Sequence, residues 1–355
     1  MPATTAVHLV GSLPLPDETA VFETVSRELG ERAKRIPDGE TGPRFMWVGW
    51  QQHVFEQTPQ LERVAAAETW DELADDYADQ QGSGEQPPSF RLRDRSSAND
   101  VTFPSLGYAD AAIASYATFE RLQAEGTIDA GVRFQVAMGT PLATSTAFLE
   151  PATLVSVEPV YEAAQLRELA RILDAIPHEK LAIQWDVCVE VWLVEGWIPS
   201  PFADSLEASV QRLARLGNAV PHDVELGFHM CYGDLGGHHL RQPDDTRALV
   251  RIINPVAKRL TRGIDWWHFP VPIDRDDTAY FAPLADLQLA ADTEIFVGLA
   301  HLADGAEGAV RRAAAARSVL PEFGIAAECG LGRHPDEAAV DVLRSHAQAA
   351  QALDA

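Results

Sequence analysis

Short apolar runs alternate with stretches whose apolar residues recur at helical spacing, and the rhythm holds along most of the chain. The apolar runs fall at 6–10, 33–36, 133–138, 181–187, 224–229, 264–268, 294–299 and 323–327, and each has the length of a buried strand. Helical periodicity predicts helices at 18–29, 104–125, 158–175, 203–215, 246–260, 279–290, 306–320 and 336–353. The first has a capping Asp17 before it and a terminating Gly30 after it. Eight strands, each followed by helical sequence, predict a parallel sheet and a (β/α)8 TIM barrel. An open doubly wound sheet is the competing arrangement, but no G-x-G-x-x-G follows the first strand. Residues 45–130 are the least regular. Trp47, Trp50 and Phe55 form an aromatic segment, and 66–100 reads as an exposed acidic excursion between the second and third strands. No linker divides the chain, so one barrel domain over 1–355 is expected.

Composition narrows the class. The chain has 355 residues, 46% of them hydrophobic and 23% charged, which suits a globular protein with a sizeable core. Its 53 acidic and 28 basic residues give a net charge of −25, which repels nucleic acid and anionic membranes. Three cysteines, Cys188, Cys231 and Cys329, are too few and too odd for a disulfide framework and fit a reducing compartment. The first residues lack the basic and apolar regions of a secretory signal, and no apolar run reaches about 20 residues. A cytoplasmic location is expected.

The chemistry gathers where the strands end. Their interiors are apolar, whereas their C-terminal ends carry Gly11-Ser12, Glu40, Asp186, His229 with Cys231, His268, His301 and Cys329. A barrel brings all of these ends to one face, the face on which its active sites are built. His229 and Cys231 stand two apart, so an imidazole and a thiol share one side of a strand, as a zinc site needs. A core histidine beside a buried cysteine has the same spelling, and the motif alone leaves both readings open. Cys188 reads as core packing, and His238 and His239 as exposed residues of a glycine-rich loop. Trp266 and Trp267 serve either packing or the floor of an aromatic pocket.

With these motifs in place the chain resembles the cobalamin-independent methionine synthase family, specifically its catalytic C-terminal barrel. The likeness rests on Gly11-Ser12 after the first strand, Gly39-Glu40 in the second loop, and an apolar-Gln-x-Asp strand at 183–186. HMCY at 229–232, His301 after the seventh strand and CGL at 329–331 complete it. It covers nearly the whole chain, which would be a single-barrel relative.

The resemblance implies zinc held by His229, Cys231 and Cys329. The family's fourth ligand is a glutamate, absent here; His268 falls at its position and is expected to replace it. It further implies a zinc-dependent methyl (alkyl) transferase that activates a small thiol. Asp186, Glu40, Gly11 and Ser12 would orient the substrate; Asp186, alternatively a general base, and His301, as proton donor, would be catalytic. Here Val187-Cys188 follow Asp186 where the family has Glu-Pro. The donor expected from the family is a reduced folate, with a corrinoid protein or another small donor as alternatives. The changed fourth ligand keeps two other readings in view: a metal-dependent hydrolase or lyase on the same barrel, or a non-catalytic metal- or ligand-binding relative.

Overall fold

Most of the apolar runs become strands of one parallel sheet, in a computed structural model that describes residues 4–64, 88–234 and 239–355. In chain order the strands are β1 Arg35–Pro37, β2 Leu61–Val64, β3 Ser89–Leu92, β4 Arg133–Gly139, β5 Leu181–Val187, β6 Glu225–Met230, β7 Trp266–Pro270, β8 Glu294–Gly298 and β9 Gly324–Ile325. Seven of them form the sheet, in the order β1-β4-β5-β6-β7-β8-β9, with every pair parallel. Every residue of β5 and of β7 is buried, as expected when both faces of a parallel sheet are covered.

The expected eighth strand, at 6–10, is not a regular strand. Val7 makes isolated parallel bridges to Ala33 on one side and to Ile325 of β9 on the other. Beyond it the carbonyls leave the ladder. Gln135 Nε2 donates to Leu9 O (2.8 Å) and Val10 O (3.0 Å), and Gln184 Nε2 donates to Val10 O (2.6 Å). Buried amide side chains thus satisfy groups that strand neighbours would otherwise satisfy. The sheet curls so that both of its edges flank Val7, an arrangement consistent with a TIM-like barrel.

Helices intervene between the strands. Glu18–Leu29 begins at Asp17, whose carboxylate accepts from Ala20 N–H, and ends at Gly30. The helix expected at 279–290 shortens to one turn, Thr278–Phe281, followed by the 3-10 helix Ala282–Asp286, where Pro283 removes an amide donor. Two short helices, Pro141–Phe148 and Val189–Glu195, follow β4 and β5 directly and have no counterpart among the expected elements. Much of the 66–100 excursion, and His238, lie outside the described residues. Within the described part, β3 pairs antiparallel with β2, and Phe90 is buried against Phe55 and bridged to Leu149, while most of 91–100 is exposed. No helix among the described residues is long and apolar enough to cross a membrane.

Strand register sets the rows inside the curl. Asp186, His229 and His268 are partners across β5, β6 and β7, so their side chains share one face and one level. One row towards the strand starts lie Gln184, Gly227 and Trp266. A Cβ on Gly227 would meet the Trp266 indole at 1.8 Å. Position 227 is glycine because that indole lies against its backbone, directly beneath the histidines.

Candidate metal centre

His229 has its two ring nitrogens committed in opposite directions. Nδ1 lies 2.6 Å from His268 Nδ1, and Nε2 lies 3.7 Å from Cys329 Sγ. The proton positions follow from the far end of this chain. His268 Nε2 lies 2.9 Å from the Ala327 carbonyl, which only accepts, so His268 Nε2 carries the hydrogen. Burial holds His268 neutral, with its pKa down at about 3, so its Nδ1 is an acceptor. His229 Nδ1–H therefore donates to it. The lone pair of His229 is left on Nε2, facing the thiols, which is the tautomer a metal ligand requires. Burial, then the neighbouring His268, also pushes the His229 pKa down.

Cys231 Sγ and Cys329 Sγ are 3.6 Å apart, too far for a disulfide. Together with His229 they form a group whose donor atoms all lie within 4.8 Å of one another. Zinc–ligand bond lengths and a tetrahedral angle require about 3.8 Å between two sulfurs and about 3.6 Å between sulfur and nitrogen. The observed 3.6 and 3.7 Å lie within about 0.2 Å of those spacings. The donor set, two soft thiols and a neutral imidazole, is also zinc's. Without a cation the two thiols resist ionising. Contact with the Cys188 thiol leads the rise in the Cys231 pKa, and contact with Cys231, then burial, raises that of Cys329.

His268 is placed differently from the expectation of a fourth ligand. It does not belong to the converging group, and both of its nitrogens are engaged, with His229 and with Ala327. Its register position is the expected one, but its ring is turned to orient His229.

The donor atoms line a cavity of about 70 Å³ whose wall includes Ser12, Glu40, Trp47, Asp186, Cys188, Trp192, Asp234 and Arg333. Asp186 accepts from Gln184 Nε2 (2.9 Å) and from Trp47 Nε1 (3.2 Å). Burial pushes Asp186 up to about 7. Burial and then the Asp186 charge push Glu40 up to about 8. Two carboxyls in one cavity resist holding two negative charges, and a cationic ligand would relieve both. Glu40 is held at φ 49°, where a non-glycine residue is strained, by a loop in which Asp38 accepts from Glu40 N–H (3.0 Å) and pairs with Arg44 (2.8 Å).

The glycine-serine pair works through close approach. A Cβ on Gly11 would come within 3.2 Å of Glu40 Oε1, and one on Gly330 within 2.3 Å of Ser12 Oγ. Ser12 Oγ also accepts from Gly332 N–H (3.2 Å), and Leu331 N–H donates to Ser12 O (2.8 Å). Ser12 thus ties down the loop that carries Cys329 while also lining the cavity.

His301 lies elsewhere. It lines a second cavity of about 870 Å³, which shares Asp234, Cys329, Gly330 and Arg333 with the first. Its Nε2 donates to Val271 O (2.9 Å), and its Nδ1 faces Glu328 at 3.9 Å. His239, expected to be exposed, has a buried side chain whose Nε2 sits 3.0 Å from Glu328. Five residues of the small cavity's wall escaped sequence reasoning. Trp47, Trp192, Asp234 and Arg333 carry no local signal. Cys188 stands two residues after Asp186, and strand periodicity alone places it on the same face.

No protein-family model matches the chain, and no curated protein matches it. Solved structures do resemble it. A B12-independent methionine synthase from Shewanella sp. W3-18-1, solved in complex with selenomethionine, superposes with a TM-score of 0.61 at 13% identity, over 99% of this chain and 98% of that one. A putative vitamin-B12 independent methionine synthase from Listeria monocytogenes gives 0.55 at 12% identity, over 99% of both chains. A methyltransferase from Methanosarcina mazei gives 0.52 at 10%, over 99% of this chain and 95% of that one. At such identities the likeness establishes a shared fold.

Proposed function

We propose that this chain is a zinc-dependent methyl (alkyl) transferase that activates a small thiol, working as one (β/α)8 barrel in which residues 6–10 form the eighth stave. The observation that carries the reading is the convergence of His229 Nε2, Cys231 Sγ and Cys329 Sγ within 4.8 Å of one another, with the two edges that meet at Cys329, 3.6 and 3.7 Å, close to those of a zinc tetrahedron. The names of the solved structures that share the fold point the same way.

Bound zinc would supply Lewis acidity, lowering the pKa of a thiol so that a thiolate exists near neutral pH. The chain's own residues do the rest. His229, Cys231 and Cys329 hold the metal, and His268 presents the His229 lone pair. The Glu40–Asp186 pair, short of a counter-charge, takes a cationic group of the substrate such as an ammonium. The small cavity excludes bulk water from the thiol. The donor of the methyl group, a reduced folate, another small donor or a corrinoid protein, reaches the sulfur from the larger cavity. His301, which lines that cavity, would hold a proton for the departing donor.

The test is metal content and methyl transfer to small thiols, measured on the wild-type protein and on Cys329→Ser. The expected result is one zinc per chain in the wild type and loss of both metal and transfer in the variant. Unchanged metal content in the variant would overturn the reading. A group of three donors with one vertex left over equally suits a metal-bound water, and hence hydrolysis or lyase chemistry. Addition of a selenol analogue of the thiol decides between them: a zinc–selenium distance appears in the zinc absorption fine structure only if the substrate's chalcogen binds the metal. Tight ligand binding without turnover would instead indicate a non-catalytic relative.

A further inference from the structure

All three cysteines of the chain line the one small cavity, although they come from three separate segments. Two of them belong to the converging donor group; the third, Cys188, does not. Strand register places it. Asp186 pairs with His229 and Val187 with Met230, and the ladder continues through Cys231 N–H, which donates to Val187 O at 2.8 Å. The next residues in register are Cys188 and Cys231. Neighbouring parallel strands run about 4.8 Å apart, so two thiols at one register position on one face stand side by side. Cys188 is 2% exposed and no backbone group claims its sulfur among the described residues.

The other oxygen donors of the cavity wall are occupied or set apart. Asp186 is held by Gln184 and Trp47, and Asp234 by Arg333. Glu40 stands over Gly11. Cys188 is the remaining side chain in that wall with the softness of the donors already assembled. Its Sγ lies outside the converging group, so reaching the metal takes a rotation about χ1, the one torsion that moves a cysteine sulfur.

Resting on the zinc reading above, we propose that Cys188 is the fourth protein donor of the resting metal centre, making it a one-histidine, three-cysteine site. A site closed by four protein donors must release one to admit a substrate sulfur. Cys188 is the donor to be released, because it alone is recruited by a side-chain rotation. The number of sulfurs on the metal is then the same before and after a thiol binds.

The experiment is zinc X-ray absorption on the full chain, together with the sulfur-to-metal charge-transfer absorption of the cobalt-substituted protein, for wild type, Cys188→Ser and Cys188→Ala. Three sulfurs and one nitrogen are expected in the wild type. The variants should show two sulfurs, with charge-transfer intensity reduced by about one third in proportion to the thiolates lost. Adding 2-mercaptoethanol should restore three sulfurs in the variants and leave the wild-type count at three. A wild-type protein with two sulfurs overturns the role of Cys188 and leaves the zinc reading standing; this measurement needs no variant to fold. A protein that binds no metal overturns both.

Discussion

The two ends of the parallel sheet use their polar residues in opposite ways. At the N-terminal end, the first residues of β1, β4, β6 and β8 are Arg35, Arg133, Glu225 and Glu294. They are matched: Arg35 pairs with Glu294 (2.8 Å) and Glu225, Arg133 with Glu225 (2.9 Å), and Lys34 with Glu294. The Arg35 guanidinium also lies over the Trp266 indole, 4.2 Å from its centroid. At the C-terminal end Asp38 and Asp234 have arginine partners, but the groups around the small cavity are mismatched. Carboxyls Glu40 and Asp186 are pushed up, imidazoles His229 and His268 are pushed down, and thiols Cys231 and Cys329 are pushed up. Every one of these shifts disfavours charge. One end has found its counter-ions inside the chain, whereas Glu40 and Asp186 at the other have no ion-pair partner among the described residues. A cluster of perturbed groups in a cavity is where ligands bind, whereas a saturated ion-pair network at strand starts serves the fold.

The sharpest way to break this contrast is at Arg35, which is 5% exposed between two glutamates. Arg35→Met should destabilise folding on the order of 2–3 kcal/mol, because it removes the buried cation that links Glu225 to Glu294 and leaves each with one partly exposed partner, Arg133 and Lys34. Metal stoichiometry should stay the same. Denaturant unfolding and metal analysis on one sample check both halves, and loss of metal without loss of stability would reverse the assignment of the two ends.

His268→Phe probes the other end. It keeps the ring volume and removes the acceptor that holds the His229 hydrogen. Metal affinity should fall roughly 10–100-fold, the usual effect of losing an orienting partner. Competition against a chelator measures it. If the variant's metal instead has one nitrogen fewer, His268 is a ligand after all.

The smallest effect is expected from Glu40→Gln. The folded protein holds the Glu40 and Asp186 carboxyls above their unfolded pKa values, so it binds more protons than the unfolded chain between about pH 4 and pH 8. The stability this confers is present at low pH and is lost as pH rises through about 7 to 8, the values of Asp186 and Glu40. Melting curves of wild type and variant should lie close together near about pH 5, and the wild type should fall behind by about pH 8.5. A gap that closes as pH rises would mean that the pair is not proton-sharing.

The contrast between the ends also explains what could be read without coordinates. Strand interiors announce themselves by composition, so β4 to β8 were foreseeable, and so was the gathering of His229, Cys231 and Cys329. The segment at 6–10 reads as a strand because its side chains are apolar. Its first residues do pair with backbone on both sides, but the Leu9 and Val10 carbonyls bond instead to Gln135 and Gln184, which are more than a hundred residues away. His268 was expected in its proper row; the direction of its ring depends on the Ala327 carbonyl, which no local pattern encodes. Ser12 was expected to face a substrate, and its tie to Gly332 joins residues 320 apart. Cys188 is different, since alternation from Asp186 places it, and only its resemblance to core packing concealed it.

The hydrogen bond from His268 to Ala327 has a consequence for the order of assembly. Ala327 lies two residues before Cys329, so a single backbone stretch delivers one sulfur donor and, through His268, sets the proton arrangement of the imidazole donor. Until that stretch docks beside β8 and is fastened by Ser12, neither donor is in its competent form. A nascent chain, or one nicked near its C-terminus, would therefore hold His229 and Cys231 in hand without a site. On the zinc reading, metal uptake would then be a checkpoint on completion of the fold.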